Sequence, residues 1–397
     1  MRTARILIVL LASLMLAACG SLPRDAFTAR DIEGGAPHGL TGIRFNASDA
    51  AASIRFADAA RTRAEGQKTF DVLAVSGGGS NGAYGAGILV GWTEAGGRPD
   101  FDIVTGVSTG ALTAPFAFLG PDWDKRLTEA YTSPAAERIL ERRGLDILFR
   151  PSFYNSKALR GLVETYVDPP LLYAVSVEHA RGRRLLIATT NLDTEETVIW
   201  DMGAIASRSD AAALKLFQDV LVASASIPGV FPPSLIEVEG KGRHLSEMHV
   251  DGGVTIPFFV APEALLLWTS PDPARNGGLA RPGHVRVIVN GKIGGGFAFT
   301  KGGALAIIGR SWGTMSKALL RTHLTASAAF ARRNGGGLLF TAIPDDADVD
   351  TSGLDFKAAN REALFKLGHD SAVAGTAWRE PETPVEPRAT PMTTAGF

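Results

Sequence analysis

Three short motifs contain the residues whose types and spacing could do chemistry. Ser108 lies in Gly106-Val107-Ser108-Thr109-Gly110, the G-x-S-x-G pattern. In this pattern a strained turn between a strand and a helix lifts the serine hydroxyl clear of the backbone, so Ser108 is the candidate nucleophile. Asp251 follows the short predicted strand Met248-His249-Val250 and precedes Gly252 and Gly253, so it is an acidic residue at a junction between strand and loop. A serine and a carboxylate of this kind suit attack on an acyl carbonyl.

The third motif is a glycine loop upstream of the serine. Gly77-Gly78-Gly79-Ser80-Asn81-Gly82 follows an apolar run and precedes a helical pattern. Glycines leave backbone N–H groups open to a ligand, and the N-terminus of a helix favours negative charge, so the loop predicts a corner that holds an anion. The same letters match the G-x-G-x-x-G dinucleotide fingerprint. That fingerprint requires an acidic residue at the far end of the second strand, whereas Asp100 lies before that strand and Asp102 at its start.

The elements that must position these residues alternate between strand and helix. Strands are predicted at 70–76, 102–105, 184–190, 197–200, 248–250, 284–290 and 337–343, and helices at 82–95, 111–119, 123–150, 156–167, 211–225, 303–332 and 356–377. Apolar strands separated by amphipathic helices are typical of a parallel sheet that is covered on both faces. We therefore expect an α/β protein, a three-layer α/β/α sandwich with a mostly parallel central sheet and a site at the carboxyl ends of the strands.

The three motifs, in this order, resemble those of the patatin-like phospholipases, lipid acyl hydrolases that use a Ser-Asp dyad. The segments 188–194 and 223–233 resemble that family too, so the likeness spans residues 70–290. It implies Ser108 as nucleophile, Asp251 as base, and the amides of Gly77, Gly78 and Gly79 as an oxyanion hole. After Asp-Gly-Gly the family usually has a polar, Asn-rich stretch, whereas residues 254–259 are apolar here. This departure predicts an extra apolar wall beside the site.

The N-terminus is a separate signal. Arg2 and Arg5 precede an apolar run at 6–16, which is too short for a stable membrane span, and Leu16-Ala17-Ala18-Cys19-Gly20 follows. The pattern resembles a bacterial lipoprotein signal, which implies that Cys19, the only cysteine, becomes the lipid-modified first residue of the mature protein. An ordinary secretory signal with an incidental cysteine is the alternative. By the same resemblance we expect a lipid-anchored protein of the bacterial cell envelope, and Gly20 favours the outer membrane.

The predicted organisation has four parts. They are a signal peptide at 1–18, a lipidated N-terminus and tether at 19–66 with one helix around 47–63, a catalytic domain at 67–378, and a disordered Pro- and Thr-rich tail at 379–397. A net charge of −1 gives no general attraction to nucleic acid. The seven histidines have no metal-ligand spacing and we recognise no calcium loop, so neither metal nor cofactor is predicted. The sequence carries no signal for an oligomeric state.

The resemblance implies a membrane-tethered phospholipase A or lysophospholipase that acts on phospholipid or lysophospholipid through a Ser108 acyl-enzyme. One alternative is an α/β-hydrolase with a Ser108-Asp251-His369 triad, which the chain order permits. Another is a catalytically inactive lipoprotein that binds lipid. The apolar and aromatic segment 145–154 is either a lid or acyl-chain wall, or simply part of the core.

Overall fold

The computed structural model describes residues 22, 24–65, 69–134, 137, 152, 154–266, 283–297, 299–300 and 302–381. The predicted signal peptide, Cys19 and the tail beyond residue 381 lie outside the described residues. Of the segment 145–154, only Ser152 and Tyr154 are described. Within the described ranges, no helix combines the length and the apolarity needed to cross a membrane.

Nine strands of the described chain form one sheet. They are β1 (Arg44–Asn46), β2 (Phe70–Val75), β3 (Ile103–Val107), β4 (Arg184–Asn191), β5 (Glu196–Asp201), β6 (Ser234–Gly240), β7 (Arg243–Asp251), β8 (Gly283–Val289) and β9 (Gly337–Ala342). The helices are α1 (Ala29–Ile32), α2 (Ala50–Glu65), α3 (Gly82–Glu94), α4 (Thr109–Leu119), α5 (Asp124–Thr132), α6 (Lys157–Tyr166), α7 (Pro169–Ala180), α8 (Met202–Ala206), α9 (Ala211–Ser224), α10 (Glu263–Leu266), α11 (Ala304–Arg333) and α12 (Ala358–Val373).

The sheet runs in the order β1-β5-β4-β3-β2-β8-β9. Five neighbouring strands of this sheet, β4, β3, β2, β8 and β9, are parallel to one another. At one edge β5 pairs antiparallel with β4, and β1 pairs antiparallel with β5. The β6–β7 hairpin pairs with the carboxyl end of β4. The predicted fold class, a mostly parallel sheet in an α/β/α sandwich, is confirmed.

Alternation along the central strands explains the two covered faces. In β2, Leu73 and Val75 face a core packed by α3, α4, α6, α7, α9 and α12. Val72 and Ala74 face the opposite core, to which α2 and α11 contribute. Since successive strand residues point to opposite faces, the unbroken apolar run at 72–75 must be buried on both sides.

The N-terminal segment packs more closely on the fold than a tether would. Phe45 of β1 pairs with Ile199 of β5, and Ala52 and Ala57 of α2 are buried. Because α2 is rich in Ala and polar residues, its sequence did not indicate that it packs on the sheet. The helix α7 and the strand β6 are further elements that the sequence analysis did not predict.

Candidate functional site

The sharp turn between β3 and α4 holds Ser108. Its backbone has φ 55° and ψ −126°, a strained conformation for a residue with a side chain. The flanking glycines are required by space, because a Cβ on Gly110 would lie 2.2 Å from the Val75 carbonyl oxygen and one on Gly106 would lie 2.5 Å from the Gly110 carbonyl oxygen. The predicted elbow is present, and close backbone packing leaves no room for side chains beside it.

The structure brings Ser108 and Asp251 together. Ser108 Oγ donates a hydrogen bond to Asp251 Oδ2 at 2.5 Å, and both residues are buried. The contact follows from topology, since β7 pairs with β4 with Asp251 opposite Thr189, and β4 is the neighbour of β3. Gly252 allows this crossing, because a Cβ there would lie 2.5 Å from the Ala188 carbonyl oxygen.

The Asp251 carboxylate is buried, and its second oxygen is also occupied. Burial raises the pKa of Asp251 to about 7, while hydrogen bonds from Ser108 and from the Gly253 N–H oppose that rise. The Gly253 N–H donates to Oδ1 at 2.7 Å. A carboxylate with a pKa near neutrality is a far better proton acceptor than an exposed one of about 3.9.

The C-terminal end of α9 supports both members of this pair. The Ser108 N–H donates to Ser224 Oγ at 2.9 Å, and Ser224 Oγ donates onward to the Ala188 carbonyl at 2.7 Å. The Asp251 N–H donates to the Ser226 carbonyl at 3.0 Å. In the sequence, 223–228 stood out only as part of the family resemblance. Two serines, Ser224 and Ser226, stand at the end of a predicted helix just before Pro228, and this pair was the available indication in the sequence.

The glycine loop lies directly against the nucleophile. A Cβ on Gly77 would lie 3.1 Å from Ser108 Cβ. The Gly77 N–H, however, donates to the Pro257 carbonyl at 3.2 Å, so this amide is already engaged. No described residue accepts a hydrogen bond from the N–H of Gly78 or Gly79. Of the three predicted oxyanion donors, these two are therefore available.

Asn290, which the sequence analysis treated only as a strand end, holds the loop in place. Its amide Nδ2 donates to the Ser76 carbonyl at 2.8 Å, and its Oδ1 accepts from the Gly85 N–H at 3.1 Å. Gly82 closes the loop against α4, since a Cβ there would lie 2.0 Å from Thr109 Oγ1. The loop, the elbow and α3 thus form one packed unit.

An apolar pocket opens beside Ser108. Gly79 and Thr109 belong to its lining, and most of the remaining wall is aliphatic or aromatic, including Leu112, Leu159, Leu162, Val163, Ile227 and Phe231. Tyr154 belongs to the segment predicted as lid or core. Its ring contacts that of Phe231 at an interplanar angle of 52°, with ring centroids 6.5 Å apart. The site therefore combines a polar pair with an apolar space.

The extra wall predicted from residues 254–259 is not part of this pocket. Phe258 and Phe259 are buried in the core on the other face of the sheet, and the Phe259 carbonyl accepts a hydrogen bond from Thr105 Oγ1. The stretch is apolar because Ile256, Phe258 and Phe259 pack in that core. That prediction was wrong because composition does not show which face of a sheet a segment covers.

His369 lies away from the pair. Its Nε2 is 2.5 Å from Glu94 Oε2 and its Nδ1 is 3.3 Å from Asp370 Oδ1. Glu94 ends α3, whose other end adjoins the glycine loop about 18 Å away along the helix axis. The structure does not bring His369 to Ser108 or Asp251. Across the described ranges, no group of three or more His, Cys, Asp or Glu side chains is placed to hold a metal.

Comparison with known proteins agrees with this geometry. Residues 73–262 match the family described as Patatin, Patatin-like phospholipase. This match supports a lipid acyl hydrolase in general. Among solved structures, VipD from Legionella pneumophila is similar, with a TM-score of 0.36 and 13% identity over 79% of this chain and 68% of VipD. No curated protein matches the sequence.

Proposed function

We propose that this patatin-like phospholipase domain hydrolyses carboxylic esters of membrane phospholipids or lysophospholipids through an acyl-enzyme on Ser108. One observation carries the proposal: the Ser108 hydroxyl is 2.5 Å from a buried Asp251 carboxylate at the mouth of an apolar pocket. A serine hydroxyl is a weak nucleophile until a base accepts its proton, and Asp251 is in direct contact with it.

In the first half-reaction Ser108 Oγ attacks the ester carbonyl carbon while Asp251 accepts the hydroxyl proton. The carbonyl oxygen becomes an oxyanion, which we assign to the N–H groups of Gly78 and Gly79. Preorganised donors of this kind are each worth roughly 3–4 kcal/mol of transition-state stabilisation. The ester C–O bond then breaks, the alcohol leaves with the proton from Asp251, and the acyl group remains on Ser108.

In the second half-reaction Asp251 accepts a proton from water, and the resulting hydroxide attacks the acyl-enzyme carbonyl. The bond to Ser108 Oγ breaks, the serine regains its proton from Asp251, and a fatty acid leaves. The apolar pocket would hold the acyl chain in both steps, since its lining has few polar groups apart from those near Ser108.

The membrane tether is a further part of the proposal and rests on sequence. The apolar run at 6–16 and the lone Cys19 support lipid modification and an outer-membrane location. An enzyme held at a bilayer meets phospholipids at high local concentration, which favours them over soluble esters as substrates. Fractionation of cells that produce the wild type or Cys19→Ala, with the membranes washed at high salt to release protein held by charge, tests this part: only the variant should leave the membrane fraction.

The hydrolytic activity is tested with purified protein and phosphatidylethanolamine vesicles, with products followed by mass spectrometry. Wild type should release fatty acid and should be labelled by a fluorophosphonate probe. Ser108→Ala should lose both, while Ser176→Ala, at a serine that does not line the pocket, should keep both. Folded wild type that is neither labelled nor active would favour the inactive lipid-binding alternative.

A further inference from the structure

The long helix α11 has two halves with different environments. Its C-terminal half packs on the sheet, where Leu320, Leu324 and Ala328 are buried. In its N-terminal half, every residue from 306 to 315 is exposed. Most of the stability of a helix in a protein comes from packing of one face, so a helical half of this length without a packing partner calls for an explanation.

The exposed half projects beyond the edge of the sheet that carries Ser108. The helix ends at Arg333, just before Gly337 begins β9 at the amino edge of the sheet. Residues 320–333 span about 21 Å, and a six-residue strand spans about 20 Å. The sixteen residues 304–319 therefore extend roughly 24 Å past the carboxyl edge. Consistent with this, Arg321 Nη1 donates to the carbonyl of Ile293, shortly after β8 ends.

One face of the projecting half is apolar and open to solvent. Ile308, Trp312, Met315 and Leu319 recur at spacings of four, three and four residues, which places them in one stripe. Their exposed fractions are 63%, 44%, 67% and 36%. Phe297 and Phe299, in the loop before the helix, are 99% and 86% exposed. An exposed apolar stripe of this length marks an interaction site.

The opposite face of α11 is cationic. Arg310 and Lys317 donate to the carbonyls of Gly296 and Gly294, so these cations hold the preceding loop and turn the apolar stripe outward. No carboxylate among the described residues pairs with either of them. Between residues 304 and 319, Arg310 and Lys317 are the only charged residues. The projecting half of the helix therefore carries two positive charges and no negative one.

We propose that the N-terminal half of α11, with Phe297 and Phe299, docks on an anionic lipid bilayer. The apolar stripe would lie at the boundary between headgroups and acyl chains, and the cations would attract anionic headgroups. A second copy of the chain fits less well, because two such surfaces carry the same excess of positive charge. Docking at this edge would turn the carboxyl ends of the strands, and so Ser108, toward the membrane. The proposal is independent of hydrolysis.

The experiment uses the full chain with Cys19→Ala and Ser108→Ala, so that neither an acyl anchor nor lipid hydrolysis contributes. Flotation with vesicles of phosphatidylglycerol and phosphatidylethanolamine is compared with phosphatidylcholine vesicles. Adding Ile308→Ser, Trp312→Ser and Met315→Ser should weaken binding to the anionic vesicles at least about tenfold. A control with Tyr173→Ser, Leu192→Ser and Val373→Ser removes exposed apolar residues elsewhere and should bind as the parent does.

Met315→Glu is a second variant in case the triple substitution disturbs folding, and it should weaken binding in the same direction. Light scattering of the parent and the triple variant tests whether a second copy of the chain covers the apolar stripe instead. The proposal is overturned if the triple variant and Met315→Glu both bind anionic vesicles like the parent. It is also overturned if the parent is a dimer that the triple substitution dissociates without a change in vesicle binding.

Discussion

Ser224 Oγ accepts a hydrogen bond from the backbone N–H of Ser108 at 2.9 Å. The nucleophile candidate has a strained backbone with φ 55°, and strain of this kind persists only where surrounding groups fix it. Ser224 belongs to α9 and also donates to the Ala188 carbonyl of β4. The elbow is therefore fixed from outside its own strand and helix.

We expect Ser224→Ala to lower kcat roughly tenfold with little change in KM, because a buried N–H without a partner costs about 1–3 kcal/mol. A loosened Ser108 would lose alignment with Asp251, whereas the acyl-chain pocket would be unchanged. Steady-state kinetics on one ester checks this. Ser226→Ala is the matched control, since this serine is equally buried at the same helix end and, among the described residues, its Oγ contacts only the Val222 carbonyl and Ser234 Oγ. Equal kinetic losses in both variants would point to a general packing role.

The raised pKa of Asp251 gives a pH dependence of activity. Because Asp251 must be ionised to accept a proton, kcat/KM should rise with pH along a single acidic limb with an apparent pKa near 7. Measurement of kcat/KM from pH 5 to 9 on a neutral ester checks this. An acidic limb near pH 4 would show that the carboxylate titrates like an exposed one.

The raised pKa of Asp251 also makes the stability of the fold depend on pH. Stability should fall as the pH rises, whereas activity should increase. A folded-state pKa raised from 3.8 to about 7 stabilises the fold fully below pH 4, and this contribution is lost as the pH rises through 7. Asp251→Asn removes the ionisation, so above pH 7 the variant should be more stable than wild type by up to about 4 kcal/mol. Urea unfolding of both proteins at pH 4, 6 and 8 measures the difference. Parallel stability curves would contradict the assignment.

Much of the fold was predictable because it depends on local pattern. The run at 70–76 is apolar and ends in glycines, and it forms β2 with nearly the predicted bounds. The hairpin partner β6 was not predictable in the same way, since Glu237 and Glu239 alternate with apolar residues in a short run that has polar and turn residues on both sides. The sequence shows its pairing only once β7 is known to extend back to Arg243.

The functional site also has residues that the sequence predicts and residues that it does not. Glycine motifs reveal an elbow and a loop, and so Ser108 and Gly78 were identified without coordinates. Ser224 and Asn290 were not, because their roles depend on which distant backbone groups their side chains reach. The engagement of the Gly77 amide by Pro257 also depends on a contact across 180 positions, for which no local signal exists.

The apolar pocket should set the acyl-chain preference. Leu162 is half-buried and belongs to the lining, so Leu162→Trp should fill the pocket. We expect kcat/KM for p-nitrophenyl palmitate to fall at least about tenfold while the value for the acetate changes little, because only a long chain reaches that wall. Leu214→Trp is the control, at a half-buried leucine outside the lining. A uniform loss on both esters would mean that the acyl chain lies elsewhere.

A Ser-Asp dyad and a Ser-His-Asp triad differ in whether hydrolysis requires His369. His369 contacts Glu94 and Asp370, and Ser108 already donates directly to Asp251. We therefore expect His369→Ala to retain ester hydrolysis within about twofold, since no proton transfer passes through the imidazole. Removal of a true triad histidine costs several orders of magnitude in kcat. Kinetics of His369→Ala beside Asp251→Asn decide the matter: a large loss in the histidine variant, with its fold intact by circular dichroism, would establish the triad instead.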